Sequence, residues 1–248
     1  LKPIAKVKIK KRVNSIIVDK SKLEGSGIGS TSLNNGLTYG NYPYGTRVED
    51  KTISLNVPDI IKMHGIYETT SVSGTPSAPS MDLTSINSSS TTTTELIIGE
   101  QLIGQTSNAI AIVAEKTDAD TITYILLNSD LFVEGETVIF QESNVQAVIS
   151  TLGASSVNIS SGYNFDNGQE NTFYNYGSII RKPDFDAPDK SIKVYFESAY
   201  YDSTDTGDIT TVDSYKNFNY STEIQEVNGL ANSDMIDIRP RVADYTVS

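Results

Sequence analysis

A repeat of 36 residues near the middle of the chain is the feature that most limits how it can fold. Residues 96–111 match residues 132–147, and both copies hold Gly-Glu, Gln, Ser-Asn and Ala at equivalent positions. Each copy has the pattern of a strand, a tight turn and a second strand, because Asn tolerates the left-handed backbone that such turns need. Repeats of this kind are supersecondary units that cannot bury an apolar face alone, so we expect the two copies to pack together.

The stretch that holds both copies predicts a small β-barrel. Thr121 to Leu127 has the composition of a further strand between them, and no helical periodicity is present. Several short strands separated by turn signals are typical of a closed sheet. We therefore predict a barrel of the SH3-like kind over residues 95–152, in which the two copies are hairpins of one domain.

The barrel is expected to interrupt a larger β domain. Ser and Thr dominate residues 73–94, with Pro76 and Pro79 near the start, a composition typical of a linker. A short strand around Met81 to Ile86 is an alternative for part of this segment. A small domain whose ends lie close together can be inserted at a loop with little cost. The predicted fold is all-β. A β-sandwich-like host domain combines residues 1–72 and 153–248, and residues 73–94 link its first part to the inserted barrel.

The segment after the barrel resembles a known class of proteins. Tyr163 to Ile179 reads YNFDNGQENTFYNYGSI, Asp213-Ser-Tyr follows, and DMIDIRPRV begins at Asp234. These blocks, in this order, resemble parts of very large structural proteins of contractile-tailed bacteriophages, especially marine ones. Those proteins commonly have Arg where Glu170 stands and Asp where Asn175 stands. The resemblance implies a tail, baseplate or fibre component and carries no catalytic residue with it.

Charge is unevenly distributed along the sequence. The net charge is −12, yet residues 1–22 hold eight Lys or Arg against one Asp, so this start carries +7 and the remainder −19. The basic residues that alternate with other side chains in a predicted strand are Lys6, Lys8, Lys10 and Arg12. This cationic face favours contact with an anionic partner, or else an edge strand whose lysines prevent unwanted pairing and face the acidic body. The acidic remainder disfavours nucleic acid as a partner.

Two further groups are candidates for contact with other molecules. Tyr39, Tyr42 and Tyr44 lie in a Gly-rich segment and form either an exposed patch or a turn with buried rings. Arg239 and Arg241 end a predicted strand. They either pair with acidic loops of the same chain or, with the basic strand, meet acidic surface on a neighbouring subunit.

Few residues suit catalysis or metal binding. The chain has one His, His64, and no Cys, which removes the commonest bases, nucleophiles and soft metal ligands. Asp202, Asp205 and Asp208 are weak candidates for calcium, but they lack the ordered spacing of a calcium-binding loop, so we expect solvated surface. The longest apolar run is far shorter than a membrane span. We predict no enzyme activity, no cofactor, no bound metal and no membrane insertion.

The function predicted from these features is that of a non-enzymatic virion component, assembled in the host cytoplasm and located in the tail region. Its partners would be other virion subunits or neighbouring modules, with an oligomeric arrangement in the particle. The alternative is a host-surface adhesin or carbohydrate-binding module, in which the barrel or the tyrosine-rich segment meets a host glycan. A third hypothesis is an enzyme that cleaves glycans. Because the sequence begins with Leu1, we expect a fragment, a processed chain or a trimmed one.

Overall fold

The computed structural model of the protein describes residues 4–18, 48–87, 89–153, 156–169, 173, 175–202, 204–207 and 209–219. In this part the chain is all-β, which confirms the predicted class, and its only helical elements are single 3-10 turns at Thr93–Glu95, Ser160–Gly162 and Val212–Tyr215. The strands are β1 (Lys8–Val18), β2 (Thr52–Pro58), β3 (Ile60–Thr69), β4 (Ser80–Thr84), β5 (Gln101–Gly104), β6 (Ile110–Lys116), β7 (Thr121–Leu126), β8 (Thr137–Phe140), β9 (Gln146–Gly153), β10 (Ser156–Asn158), β11 (Tyr163–Asp166), β12 (Tyr176–Arg181) and β13 (Ile192–Tyr201).

The strands form two open sheets and one closed barrel. The orders are β1-β13-β3-β10 and β11-β12-β2 for the open sheets, and β4-β7-β6-β5-β8-β9 for the barrel. The described residues fall into two compact units, one within Leu1–Met63, Gly162–Asp189 and Phe196–Ser248, the other within His64–Ser161 and Lys190–Tyr195. The first unit contains β1, β2, β11 and β12, and the second contains β4 to β10. Strands β3 and β13 contribute residues to both.

In the first unit, a strand of one open sheet packs against a strand of the other. Ile53 and Leu55 of β2 and Ile179 of β12 are fully buried. Gly177 of β12 faces Ile60 at the start of β3, and a Cβ at this glycine would lie 2.6 Å from Ile60 Cδ1 and 3.1 Å from Ile60 Cβ. Face-to-face packing of two sheets is the arrangement of a β-sandwich, so the predicted host fold is consistent with this contact.

Gly177→Ala is expected to destabilise the first unit by about 1–3 kcal/mol, since an added methyl in a close-packed interface forces side chains or backbone to shift. Urea unfolding of the full chain measures the loss. Ile60→Val removes the Cδ1 that the new methyl would meet, so the double variant should recover part of the stability. A Gly177→Ala variant as stable as the parent would contradict the close packing inferred here.

The barrel lies in the second unit and closes because β4 pairs with two strands. β4 is antiparallel to β7 on one side and to β9 on the other. The interior is filled by apolar side chains: Met81, Leu83, Ile86, Leu96, Leu102, Ala109, Ala111, Val113, Ile122, Tyr124, Phe132, Val138, Phe140, Val145, Ala147 and Ile149. A closed sheet leaves no unpaired edge among its own strands, and this one encloses a packed core.

The two sequence copies are related in space by a pseudo-twofold axis. The 36-residue offset maps β5 onto β8, and these strands pair with each other. Ile103 lies opposite Ile139, its own equivalent, while Leu102 lies opposite Phe140 and Gly104 opposite Val138. When two repeated strands pair in antiparallel fashion and a residue lies opposite its counterpart in the other copy, the twofold axis that relates the copies passes between those two residues. The axis therefore runs between Ile103 and Ile139.

Strand β4 does for the second copy what β7 does for the first. The pairing of β7 with β6 has a register shift that leaves Ala114 of β6 without a partner residue in β7. The pairing of β4 with β9 has the same shift at Ser150 of β9, which lies 36 positions after Ala114. Where β4 and β7 meet, Met81 lies opposite Ile122, its equivalent in this arrangement, so the axis also passes there. Each half of the barrel thus has three strands: β5, β6 and β7 in the first half, and β8, β9 and β4 in the second. In the second half, β4 comes before the other two strands in the sequence.

This arrangement corrects the predicted boundaries. Ser80–Thr84 lies inside the range 73–94 that we predicted to be a linker, and the barrel runs from Ser80 to Gly153 rather than over residues 95–152. The sequence repeat did not reveal β4 because the side chains of β4 and β7 differ at every equivalent position. That the barrel is of the SH3-like kind stays a prediction.

The chain enters and leaves the barrel at neighbouring points. Ser80, where β4 begins, pairs with Gly153, where β9 ends. Just outside the barrel, Thr69 of β3 pairs with Ser156 of β10. Adjacent ends of this kind let a small domain interrupt a larger sheet, as the inserted arrangement requires.

Two buried glutamates join the halves of the barrel reciprocally. Glu100 of the first copy accepts hydrogen bonds from the amides of Glu142 and Ser143 in the second, at 3.2 and 3.0 Å. Glu136 of the second copy accepts from the amides of Thr106 and Ser107 in the first, at 3.1 and 3.0 Å. Each carboxylate therefore fastens the hairpin turn of the other copy, which explains why Gly-Glu and Ser-Asn recur together in the sequence.

Candidate interaction surfaces

The predicted cationic face lies on β1, but Lys8 does not belong to an exposed surface. Its side chain is 0% exposed, and Nζ lies 2.5 Å from Asp59 Oδ2. Nζ also donates to the Tyr215 hydroxyl at 3.0 Å and lies over the rings of Tyr201 and Tyr215, at 5.1 and 4.7 Å from their centroids. The prediction that Lys8 contacts a partner is therefore wrong, because residues distant in sequence cover that side of β1.

The neighbouring basic residues are also partly engaged within the chain. Lys6 Nζ lies 5.7 Å from the centre of the Tyr201 ring. Lys10 Nζ lies 3.5 Å from Glu197 Oε1 and 5.8 Å from the centre of the Phe218 ring. Arg12 is half-buried. These contacts agree with the alternative in which lysines of this strand face acidic groups of the same chain.

Lys11 is the exposed cation of β1, and it was not among the predicted contact residues. Its Nζ donates to Asn14 Oδ1 at 2.8 Å, and its side chain is open to solvent. The alternation of Lys6, Lys8, Lys10 and Arg12 predicted the contact surface on the opposite face of the strand. Successive side chains of a strand lie on opposite faces, so the position of Lys11 between Lys10 and Arg12 indicates that it lies on the other face.

Several predicted contact residues lie outside the described part of the chain. These are Tyr39, Tyr42, Tyr44, Arg239 and Arg241, together with Asp208 of the acidic loop. Their predicted roles stay predictions.

The other two aspartates of that loop organise turns. Asp202 Oδ1 accepts from the hydroxyl and the amide of Thr204, at 2.7 and 2.8 Å, and these hydrogen bonds lower the pKa of the Asp202 carboxyl. Asp205 accepts from the Val7 amide, which is the larger influence, and from the Gly207 amide at 2.8 Å, and both lower the pKa of its carboxyl. Asp205 thus fastens its loop to the residue before β1. Among the described residues, no three His, Cys, Asp or Glu side chains come together as metal ligands.

The barrel presents a second candidate surface at the connection between β7 and β8. Leu127, Leu131 and Val133 in this connection are all exposed, while Phe132 between them is buried against Tyr124 with an edge-to-face ring distance of 5.2 Å. Buried Phe132 fixes the connection to the barrel, so the three exposed side chains are held rather than loose. Exposed apolar side chains grouped on one segment are typical of contact sites between proteins.

A cluster in the second unit fixes the barrel to strand β13. Lys193 Nζ lies 2.6 Å from Glu115 Oε1 of β6, and the Tyr195 hydroxyl accepts from the Ala78 amide at 3.2 Å. The Tyr195 ring meets the Tyr67 ring edge-to-face at 5.9 Å. The connection that leads into β4 is therefore held by specific contacts, unlike the flexible linker that its composition suggested.

Comparison with protein-family models, with curated proteins and with solved structures finds no match to this chain. Within the described residues, no helix has the length and apolar character that crossing a membrane requires.

Proposed function

We propose that this chain is a non-enzymatic structural module of a bacteriophage virion, located in the tail, baseplate or fibre. Its work would be to hold neighbouring subunits at a fixed spacing. The resemblance of residues 163–242 to large phage structural proteins suggests this class. One structural observation carries the assembly role: β1, eleven residues long, is the last strand of its sheet in the described part and presents Lys11 to solvent.

A terminal strand of this length suits contact between subunits. An exposed lysine on the terminal strand of a sheet opposes contact with cationic surfaces and so limits the strand to partners of suitable charge. The remainder of the chain, residues 23–248, carries −19, so a second copy would offer this strand an excess of acidic side chains. Opposite charges on two surfaces speed their encounter and select the correct partner.

Contacts within the second unit support the spacing part of the proposal. A spacer must keep its own strands in a fixed arrangement. Within that unit, the ion pair between Lys193 and Glu115 joins β13 to β6, and the hydrogen bond from the Ala78 amide to the Tyr195 hydroxyl joins β13 to the connection that leads into β4. The exposed connection with Leu127, Leu131 and Val133 then becomes a second place where a neighbouring subunit would pack.

Charge reversal on β1 tests the assembly role. We expect Lys11→Glu to leave the free energy of unfolding within about 0.5 kcal/mol of the parent, as is usual for surface substitutions. The same change should reduce incorporation of the chain into particles, more strongly at low salt, where exposed charges are least screened. The matched control is Lys62→Glu, an exposed lysine of β3 in the same sheet, which should incorporate normally.

Two results would count against the proposal at different levels. Equal incorporation of Lys11→Glu and the parent would reject β1 as the contact strand. Absence of the chain from purified particles, judged by mass spectrometry and cryo-microscopy of the virus that encodes it, would reject the virion role itself. Lys8 cannot serve in this test, because reversing a buried charge beside Asp59 would unfold the first unit.

A further inference from the structure

The first unit holds a primary amine and a carboxyl group in contact inside the protein. Lys8 is 0% exposed and the Asp59 side chain 10% exposed, with 2.5 Å between Lys8 Nζ and Asp59 Oδ2. The two residues are 51 positions apart, one on β1 and the other between β2 and β3. Asp59 has a φ of 54°, so its backbone is held in the left-handed region by the strands on either side of it.

The groups around this pair suit a reaction between them. Gln169 Nε2 donates to Asp59 Oδ1 at 3.1 Å and so polarises that oxygen, while the Tyr215 hydroxyl accepts from Lys8 Nζ at 3.0 Å. The rings of Tyr201 and Tyr215 cover Nζ and exclude water from it. Two reacting groups that are held in contact and shielded from water react faster than the same groups free in solution, because their effective concentration is high and their orientation is fixed.

We propose that Lys8 and Asp59 condense to form an intramolecular isopeptide bond. One proton passes from Nζ to Oδ2, which gives a neutral amine and a neutral carboxylic acid. The amine nitrogen then attacks Cγ, and the carbonyl electrons move onto Oδ1, where the Gln169 amide stabilises the negative charge. A second proton moves from nitrogen to Oδ2, the bond from Cγ to Oδ2 breaks, and one water leaves. The products are an amide and water, so no oxidant or other reactant is needed.

The burial of the pair favours the condensed product. Two charges in a poorly solvated site carry a large desolvation penalty, which their mutual attraction offsets only in part. An amide replaces both charges with one neutral group, and the released water is stabilised in bulk solvent. The bond would tie β1 permanently to the start of β3, and this inference does not depend on the proposed virion role.

The chain contains a second lysine–carboxylate pair that serves as an internal comparison. Lys193 Nζ and Glu115 Oε1 are 2.6 Å apart, but the Glu115 side chain is 35% exposed. Water reaches that carboxylate, solvates its charge and competes with the amine. The same separation of groups should therefore lead to condensation at Lys8 and not at Lys193.

Mass spectrometry of the purified full chain tests the proposal. The intact mass is expected to be lower than the sequence mass by one water, about 18 Da. Proteolysis should release a branched peptide that joins the segment around Lys8 to the segment around Asp59. Lys8→Arg and Asp59→Ala should each restore the full mass, whereas Lys193→Arg should keep the loss. Gln169→Ala should slow formation of the bond, because it removes the amide that stabilises the charge on Oδ1, and the mass followed during incubation after refolding measures this.

Each contrary outcome has a definite meaning. A full mass after prolonged incubation of the native protein would overturn the proposal, whether or not any variant folds. So would a loss of water without the branched peptide, since a cyclised aspartate would give the same mass. A loss that persists in Lys8→Arg would place the reaction at another residue and overturn it as well.

Discussion

A fragment of residues 78–153 is expected to fold by itself, whereas a fragment of residues 95–152 is expected to remain unfolded. The longer fragment contains β4, which pairs with β7 and β9 and closes the barrel. The shorter one lacks Met81 and Leu83, both buried in the barrel core. Truncating one such side chain alone costs about 2–5 kcal/mol, and a small domain has only about 5–15 kcal/mol of stability. Thermal melting followed by circular dichroism measures the difference.

A peptide of residues 78–87 provides the control for this experiment. Mixed with the fragment of residues 95–152, it should restore a cooperative unfolding transition, because it supplies the strand that pairs with both β7 and β9. The same peptide carrying Met81→Asp should fail, since it would place a charge between Ile122 and the rest of the core. A cooperative transition of the shorter fragment without any peptide would show that β4 is dispensable.

The repeat allowed the central hairpins of the barrel to be predicted well. Asn108 and Asn144, selected as turn residues that tolerate the left-handed region, have φ values of 60° and 56°. Gly99 and Gly135 both have a φ of 85°. Local chemistry decides these positions, because few residues tolerate a positive φ. Because the same turn residues occur in both copies at an offset of 36, the prediction of each turn supports the prediction of the other.

The partners of the hairpins could not be predicted in the same way. Ser-Met-Asp-Leu-Thr in β4 shares no identical residue with Thr-Ile-Thr-Tyr-Ile in β7, only the placing of buried apolar side chains, although the two strands occupy equivalent places in the barrel. Only the pairing register reveals this equivalence. The surrounding Ser and Thr gave residues 73–94 the composition of a linker. A short strand around Met81 to Ile86 was the alternative for part of it, and the structure has a strand at Ser80–Thr84, but the composition did not show that this strand belongs to the barrel.

The environment of Lys8 depends on contacts that are distant in the sequence. The alternation of basic residues predicted a strand correctly but not which face of it is covered. Asp59, Tyr201 and Tyr215 cover Lys8, and they lie 51 or more positions away. A buried lysine needs a carboxylate or an equivalent group beside it. No local pattern shows which of the many acidic residues in this chain provides it.

Glu136→Gln is expected to destabilise the barrel by about 2–3 kcal/mol, the usual size for hydrogen bonds to a charged group. Both carboxylate oxygens accept from backbone amides: Oε1 from Val133 at 2.7 Å, and Oε2 from Thr106 and Ser107 at 3.1 and 3.0 Å. A glutamine in either orientation would point its NH₂ group at one of these amide donors. Hydrogen–deuterium exchange of the barrel amides in the full chain measures the loss. The matched control is Glu134→Gln, an exposed glutamate of the same turn.

The pseudo-twofold axis extends this prediction to the first copy. Glu100 Oε1 accepts from the Ile97 amide at 2.5 Å, and Oε2 from the amides of Glu142 and Ser143, so its hydrogen bonds repeat those of Glu136. Glu100→Gln should therefore cost about as much as Glu136→Gln, near 2–3 kcal/mol. Substitutions at separate sites usually add, so a double variant should lose close to the sum. A large effect at one glutamate and none at the other would contradict the equivalence of the two halves.

The pH dependence of stability gives an independent test of the Glu136 site. Burial raises the pKa of the Glu136 carboxyl, but hydrogen bonds from the Ser107 and Val133 amides, the Ser107 hydroxyl and the Thr106 amide outweigh it, so the pKa lies below its ordinary value. A carboxyl of this kind stabilises the fold above its unfolded pKa of about 4.3. That contribution disappears as the pH falls through the lowered pKa, because the protonated form can no longer accept every hydrogen bond. The free energy of unfolding of the parent barrel should therefore fall more steeply in acid than that of Glu136→Gln. If the free energies of the two proteins fell in parallel with pH, the ionised carboxylate would not be the group that stabilises the turn.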